Sequence, residues 1–255
     1  MKKKPEKTNT SWGGVADWYD THLETDTDSY QEKVIAPNLL RLLSLKKGDM
    51  ILDLACGQGF FSRKFLAEGA TVLGVDISKE LIEAAKKRGT GITYSVSPAH
   101  KLPFIKNASI DAVTIILAIQ NIENMQEVFH EVHRVLKTNG RLVLVMNHPT
   151  FRIPKVSSWG FDPSTGTQYR RIDEYLSSSR TKIVVHPGIK NSEETVSYHR
   201  SLQDFFKSLN KAGFCVTKLE EWISHKKSGK GPRQKAEDKS RREIPLFLAL
   251  ETRKL

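Results

Sequence analysis

The sequence predicts an α/β fold built on a parallel sheet, and three observations carry that prediction. From residue 30 to residue 148, short apolar runs suited to strands alternate with amphipathic helical segments. A glycine turn, Gly57-Gln58-Gly59, follows the first of those runs and opens a helical segment. The run 109–117 is largely apolar, as suits a strand covered on both faces.

Each element follows from its residues. Residues 30–44 read as a helix whose apolar side uses Val34, Ile35, Leu39, Leu40 and Leu43, and Lys46-Lys47-Gly48-Asp49 breaks it. Residues 50–55 form a short apolar strand, 60–68 a helix, and 71–75 a second strand ending at Asp76. Ser78 is a good N-cap for a helix over 79–87 that stops near Gly89. Residues 92–95 are a third strand, 98–107 a loop, and 109–117 a fourth strand. A helix over 125–136 turns Val128, Phe129, Val132, Val135 and Leu136 inward, and residues 141–146 follow as a fifth strand. Such alternation implies right-handed crossovers.

Residues 149–199 break this rhythm with Trp159, Gly160, Pro163, Gly166, Tyr169, Tyr175, Pro187 and Gly188. They predict an inserted, partly irregular cover. Beyond it, 201–212 reads as a helix with Leu202, Phe205, Phe206 and Leu209 inward, and 215–222 and 245–251 as two closing strands. The expected organisation is a basic tail and N-terminal lid over 1–29 and a ligand-binding core over 30–148. An inserted substrate cover over 149–199 comes next. Residues 200–255 return to the same α/β domain and carry a basic loop over 225–243.

At 255 residues the chain can bury one good core. Its 38% hydrophobic content excludes a wholly disordered chain, and its two cysteines exclude a disulfide-stapled miniprotein. Those cysteines, Cys56 and Cys215, frame no metal site and fit a reducing cytoplasm. No apolar run has the length of a membrane span, and the basic start MKKKPEKTNT lacks the apolar stretch of a secretion signal. The net charge of +11 is uneven. Residues 1–10 carry +3, and residues 225–243 hold eight Lys/Arg against three acids. A cationic segment of this kind attracts an anionic partner, RNA included.

Glycines let the backbone pass close to a ligand, and a helix N-terminus offers unpaired N–H groups. A carboxylate at the end of the next strand, Asp76, can accept both hydroxyls of a ribose. A dinucleotide-binding turn would need a third glycine at position 62, where Ser62 stands.

At these residues the sequence resembles the class I S-adenosylmethionine-dependent methyltransferases, especially their metabolite-type (methyltransferase type 11-like) subfamily. The matching stretches are ILDLACGQGFFSRKF at 51–65, VLGVDIS at 72–78, HKLPFIKNASIDAVTI at 100–115, VFHEVHRVLKTNGRLVLV at 128–145 and SLQDFFKSLNKAGF at 201–214. The resemblance implies a three-layer Rossmann-like fold whose seven strands run 3-2-1-4-5-7-6, the last antiparallel. It implies S-adenosyl-L-methionine as cofactor and S-adenosyl-L-homocysteine as product. Asp53, Ala55, Gly57 and Gly59 would surround the methionine part, Asp76 would hold the ribose, and Ile77 would flank the adenine. Two positions depart from the pattern. Ala55 stands where the family often has glycine, and Pro98 stands where it usually has an acid. Ser97 or a backbone carbonyl would then read the adenine amino group, with the Ala99 N–H against the ring.

Ligands of open α/β sheets bind beyond the C-terminal strand ends. His148, after strand five, is the expected general base, with Asn147 orienting the acceptor. Tyr19, Asn121, Arg152, Tyr169, His199 and Arg200 are expected to bind substrate. The leading expectation is a cytoplasmic enzyme that methylates a small or medium metabolite, anionic ones included. The alternatives are an RNA methyltransferase gripping phosphates with loop 225–243, and a non-catalytic S-adenosylmethionine-binding protein. No metal and no membrane partner are expected, and the sequence does not specify an oligomeric state.

Overall fold

A computed structural model describes residues 26–184 and 194–255. Trp12, Trp18 and Tyr19 of the expected lid, and His186, Pro187 and Gly188 of the cover, lie outside the described residues.

The sheet is assembled from β1 (Met50–Leu54), β2 (Thr71–Asp76), β3 (Thr93–Val96), β4 (Ile110–Ile116), β5 (Leu136–Asn147), β10 (Phe214–Trp222) and β11 (Phe247–Lys254). Their order is β10-β11-β5-β4-β1-β2-β3. β1 lies parallel to β2 and β4, β2 to β3, and β4 to β5. β11 runs antiparallel to both β5 and β10. The architecture is therefore a mostly parallel seven-stranded sheet with an antiparallel last strand.

Both faces of the sheet are covered. Alternate strand residues Leu52, Leu54, Val113, Ile115, Leu142 and Leu144 pack against α4 (Met125–Val135) and α5 (Leu202–Lys211). Their neighbours Ile51, Val72, Val143 and Val145 pack against α1 (Ala36–Leu43) and α2 (Phe60–Ala67). That two-sided burial is why the strands read as continuous apolar runs. A π-helical turn, Gln31–Ile35, leads into α1. Ser78 caps α3 (Lys79–Arg88) by accepting from the Leu81 N–H. Ser201 and Asp204 cap α5 reciprocally, which fixes where that helix leaves the cover.

Two sequence expectations are corrected, and the partly irregular cover gains detail. Residues 149–199 contain two ordered hairpins: β6 (Ser157–Asp162) with β7 (Thr167–Ile172), and β8 (Ser179–Val184) with β9 (Glu194–His199). The second half of the basic loop is a helix, α6 (Gln234–Glu243). Its composition of Gln, Lys, Ala, Glu and Arg favours a helix, but it has no apolar stripe to reveal it. Phe206 faces solvent and is 40% exposed, because α5 buries Phe205 and Leu209 instead. Among the described residues no helix is long and apolar enough to cross a membrane.

Candidate active site

Two adjoining cavities lie beyond the C-terminal strand ends. The first, about 400 Å³, is bordered by the residues that follow β1, β2 and β4. The turn after β1 borders it at Ala55 (φ 60°) and Gly57 (φ 56°), both in left-handed backbone, and leaves it through Gly59 (φ 78°). Asp76 ends β2 and is nearly buried. One of its carboxylate oxygens accepts the Gly57 N–H at 2.9 Å and the other accepts the Ser78 N–H at 2.8 Å. The carboxylate thereby locks the glycine turn to the end of β2. Each oxygen has more than one acceptor direction, so a diol can still be received. Ile77 is exposed at the cavity, and Ser97 and Ala99 border the same end. The Ser97 hydroxyl donates to the Lys101 carbonyl at 2.6 Å, which leaves its oxygen as an acceptor.

The second cavity, about 250 Å³, shares Leu117, Asn121 and Tyr198 with the first. It extends over the end of β5 and beneath the β8–β9 hairpin, and five residues expected at the acceptor, Asn121, Asn147, Arg152, His199 and Arg200, border it. Arg200 donates to the carbonyls of Ile119, Ile122 and Glu123 and stacks on Tyr198. Asn121 Nδ2 donates to the Val196 carbonyl at 2.9 Å. These bonds fasten the hairpin to the end of β4. His199 is buried, and its Nε2 donates to the Tyr175 carbonyl at 2.8 Å. A carbonyl can only accept, so the neutral ring carries its proton on Nε2 and Nδ1 is a lone pair. No described residue bonds that Nδ1.

Residues 52–144 match the methyltransferase domain family. A crystal structure of an S-adenosylmethionine dependent methyltransferase from Mesorhizobium loti superposes with a TM-score of 0.69 at 27% identity, covering 88% of this chain and 99% of that one. The chain carries a class I S-adenosylmethionine-dependent methyltransferase domain of the type 11 kind. A demethylmenaquinone methyltransferase of Streptomyces avermitilis is 31% identical over 153 residues, 59% of this chain and 65% of the relative. That stretch thus falls just short of two thirds of the relative's length. An uncharacterized protein of Haemophilus influenzae is 27% identical over 209 residues, 78% of this chain and 80% of that protein.

The cofactor of this methyltransferase domain is S-adenosyl-L-methionine, and the first cavity fits it. The observation that tests the fit is the pairing of an unhindered turn with a terminal acid. A Cβ at Gly57 would meet nothing within 4 Å, and Asp76 faces the same space. Gly59 does not border the cavity. A Cβ there would stand 2.2 Å from the Tyr94 hydroxyl oxygen, so its glycine serves packing behind the turn. Ala55 borders the cavity in a conformation that costs a residue with a Cβ roughly 1 kcal/mol or more. Among the described residues no cluster of His, Cys, Asp and Glu could hold a metal ion.

The placement of His148 differs from the sequence expectation. It is buried and borders neither cavity. Its Nδ1 accepts the Thr150 N–H at 3.2 Å, so its proton sits on Nε2, which donates to Glu221 at 2.8 Å. Both nitrogens are occupied, and burial lowers its pKa although Glu221 opposes the shift. It is held in place behind the cavities, its ring tilted against Phe151 with centroids 4.7 Å apart. Tyr169, on β7, is half-exposed and borders neither cavity, and Tyr19 lies outside the described residues. Tyr198, which borders both cavities, and Gln120, which borders the second, are not among the site residues expected from the sequence. Tyr198 sits one residue before His199 in a strand whose alternation was the available signal.

Asp53 borders the first cavity but is otherwise sealed. Its two oxygens accept from the hydroxyls of Ser62 at 2.5 Å and Thr114 at 3.2 Å. Burial pushes its pKa up to about 6, and those hydroxyls only partly oppose the shift. The unfolded chain releases this proton near pH 4, so between there and pH 6 the folded state binds more protons. Stability from this group is full at low pH and is lost as pH rises through about 6. The loss approaches roughly 3 kcal/mol. Asp53→Asn is therefore expected to show a flatter stability profile than the parent between pH 4.5 and 7.5 in urea titrations without ligand. Parallel profiles would place the proton elsewhere.

Proposed function

We propose that the protein transfers a methyl group to a small or medium metabolite by in-line displacement, with the acceptor in the second cavity. The observation that carries this reading is the shared wall. Leu117, Asn121 and Tyr198 belong to both cavities, so a molecule in one faces a molecule in the other. Bound S-adenosylmethionine supplies a methyl carbon already activated by its sulfonium. The chain's task is then alignment and exclusion of water. Asp76 would hold the ribose, Ile77 the adenine face, and Ser97 the adenine amino group. Asn121 and Asn147 would orient the acceptor.

Where the acceptor gives up a proton, His199 Nδ1 receives it. Its ring is held in the required tautomer by Tyr175, as a general base must be. The Streptomyces relative's name points to a quinone-type acceptor, which belongs to the same class of small molecules.

The RNA reading loses ground in the basic segment. Lys226 lies over the Tyr30 ring and near Asp28, Arg233 stacks on Phe161 at 4.5 Å, and Arg241 donates to Ser228. Several of its cations are thus engaged within the chain.

The test is transfer of label from methyl-labelled S-adenosylmethionine into a cell extract split into metabolite and RNA fractions. Label is expected in the metabolite fraction. His199→Gln is expected to lower the rate roughly 10²-fold at unchanged S-adenosylhomocysteine affinity. Label confined to RNA would refute the metabolite reading. Full activity in the variant would remove His199 as the base.

A further inference from the structure

The second cavity is lopsided in charge. Arg152 and Arg200 border it, and among the described residues no carboxylate does. Arg200 is spent on three backbone carbonyls and the Tyr198 ring. Arg152 is not spent. Its backbone N–H donates to the His148 carbonyl, but no described residue gives its guanidinium a hydrogen bond or an ion pair. Two titratable groups lie in its electrostatic reach among the described residues: the Tyr30 phenol, and another guanidinium, Arg170, which bonds the Phe151 carbonyl and the Ser157 hydroxyl and stacks on Trp159.

Two neighbouring guanidiniums with no carboxylate between them among the described residues repel each other, and a bound anion relieves that repulsion. A guanidinium also presents a planar fork of N–H donors, which matches a carboxylate or a phosphate in two parallel bonds. A second group in the lining is equally unsatisfied. Gln120 Nε2 donates to the Leu117 carbonyl at 2.7 Å, while its Oε1 is buried without a partner. An unpaired buried acceptor is costly, and a ligand N–H or O–H would satisfy it.

We propose that the second cavity selects acceptors that carry a carboxylate or phosphate group. Arg152 is the residue that grips this group, and Gln120 Oε1 accepts from an N–H or O–H of the same molecule. The inference rests on the reading that this cavity receives the acceptor, and it narrows that acceptor to an anionic class. Arg152 acts on specificity, since nothing in its surroundings equips it to move a proton.

The experiment uses the full chain saturated with S-adenosyl-L-homocysteine. Benzoate, phenyl phosphate and benzamide are titrated in turn and followed by calorimetry. At least one of the two anions is expected to bind, and benzamide to bind at least tenfold more weakly. Which anion binds separates a carboxylate site from a phosphate site. Arg152→Gln is expected to weaken the anion at least tenfold, and Arg152→Lys to keep part of the affinity. S-adenosylhomocysteine affinity should be equal in all three proteins, which shows that the variants remain folded.

Benzamide binding as well as the anions would overturn the proposal. So would an Arg152→Gln variant that binds them like the parent, or failure of both anions to bind. The labelled-methyl experiment stands apart from these titrations. Label transfer without anion binding would sink this inference alone. Anion binding that depends on Arg152, without any transfer, would sink the acceptor reading and leave the anion site.

Discussion

Asp76→Ala is expected to weaken S-adenosylhomocysteine binding by roughly 10²- to 10⁴-fold. Each charge-assisted hydrogen bond lost from a ribose hydroxyl costs about 1.5–3 kcal/mol, and two are lost. The effect does not stop at the ligand. The same carboxylate accepts the Gly57 and Ser78 N–H groups, so its removal frees the glycine turn and the entry to α3. Asp76→Asn keeps one acceptor oxygen and should fall between parent and alanine. Calorimetry on proteins with matched circular dichroism makes the comparison. Affinity within about threefold of the parent would remove Asp76 from the ribose.

Gly59→Ala is expected to be the most destabilising single methyl group that can be added to this turn. The backbone there is left-handed at φ 78°, which a residue with a Cβ adopts at a cost of about 1–2 kcal/mol. The added Cβ would also lie 2.2 Å from Tyr94 Oη and 2.9 Å from its Cζ. The ring has little room to retreat, because it also fills the space beside Gly74, at 2.4 Å from where a Cβ would be. Overpacking of this kind adds about 1–3 kcal/mol, for a total near 3–4 kcal/mol. Tyr94→Phe tests the cause. The Tyr94 hydroxyl is buried without a partner, so its removal alone should be nearly neutral. Combined with Gly59→Ala, it should return part of the lost stability through coupling. Urea unfolding of the four proteins measures this, and strict additivity would deny the clash.

The parts of the fold that were legible in the sequence are those whose burial is one- or two-sided and regular. β1, β4 and β5 are apolar because helices cover both sheet faces, and Ser78 and Ser201 announce helix starts through their own hydrogen bonds. The cover was not legible in the same way. β7 alternates exposed and half-buried residues, Thr-Gln-Tyr-Arg-Arg-Ile, so its period of two carries little apolar contrast. In the candidate site, sequence position nominated His148 as the base and His199 as a substrate contact, and it could not see the partners of either ring. Those partners include Glu221, 73 residues from His148, and Tyr175, 24 residues from His199. One partner arrangement consumes both nitrogens of a ring, and the other leaves one nitrogen open. Such differences arise only when distant segments meet.

The fastening of the β8–β9 hairpin bears on how this fold could be diversified. Asn121, on the turn after β4, donates to the hairpin's Val196 carbonyl, and Arg200, at the end of the hairpin, donates to the carbonyls of Ile119, Ile122 and Glu123, so the roof of the second cavity and the turn after β4 form one mechanical piece. A graft of the hairpin alone into a related scaffold would arrive without its anchor points and would sit at an undefined height above the transferred methyl. The exchangeable module is the hairpin together with residues 117–123, and new acceptor preferences would have to be installed as that pair.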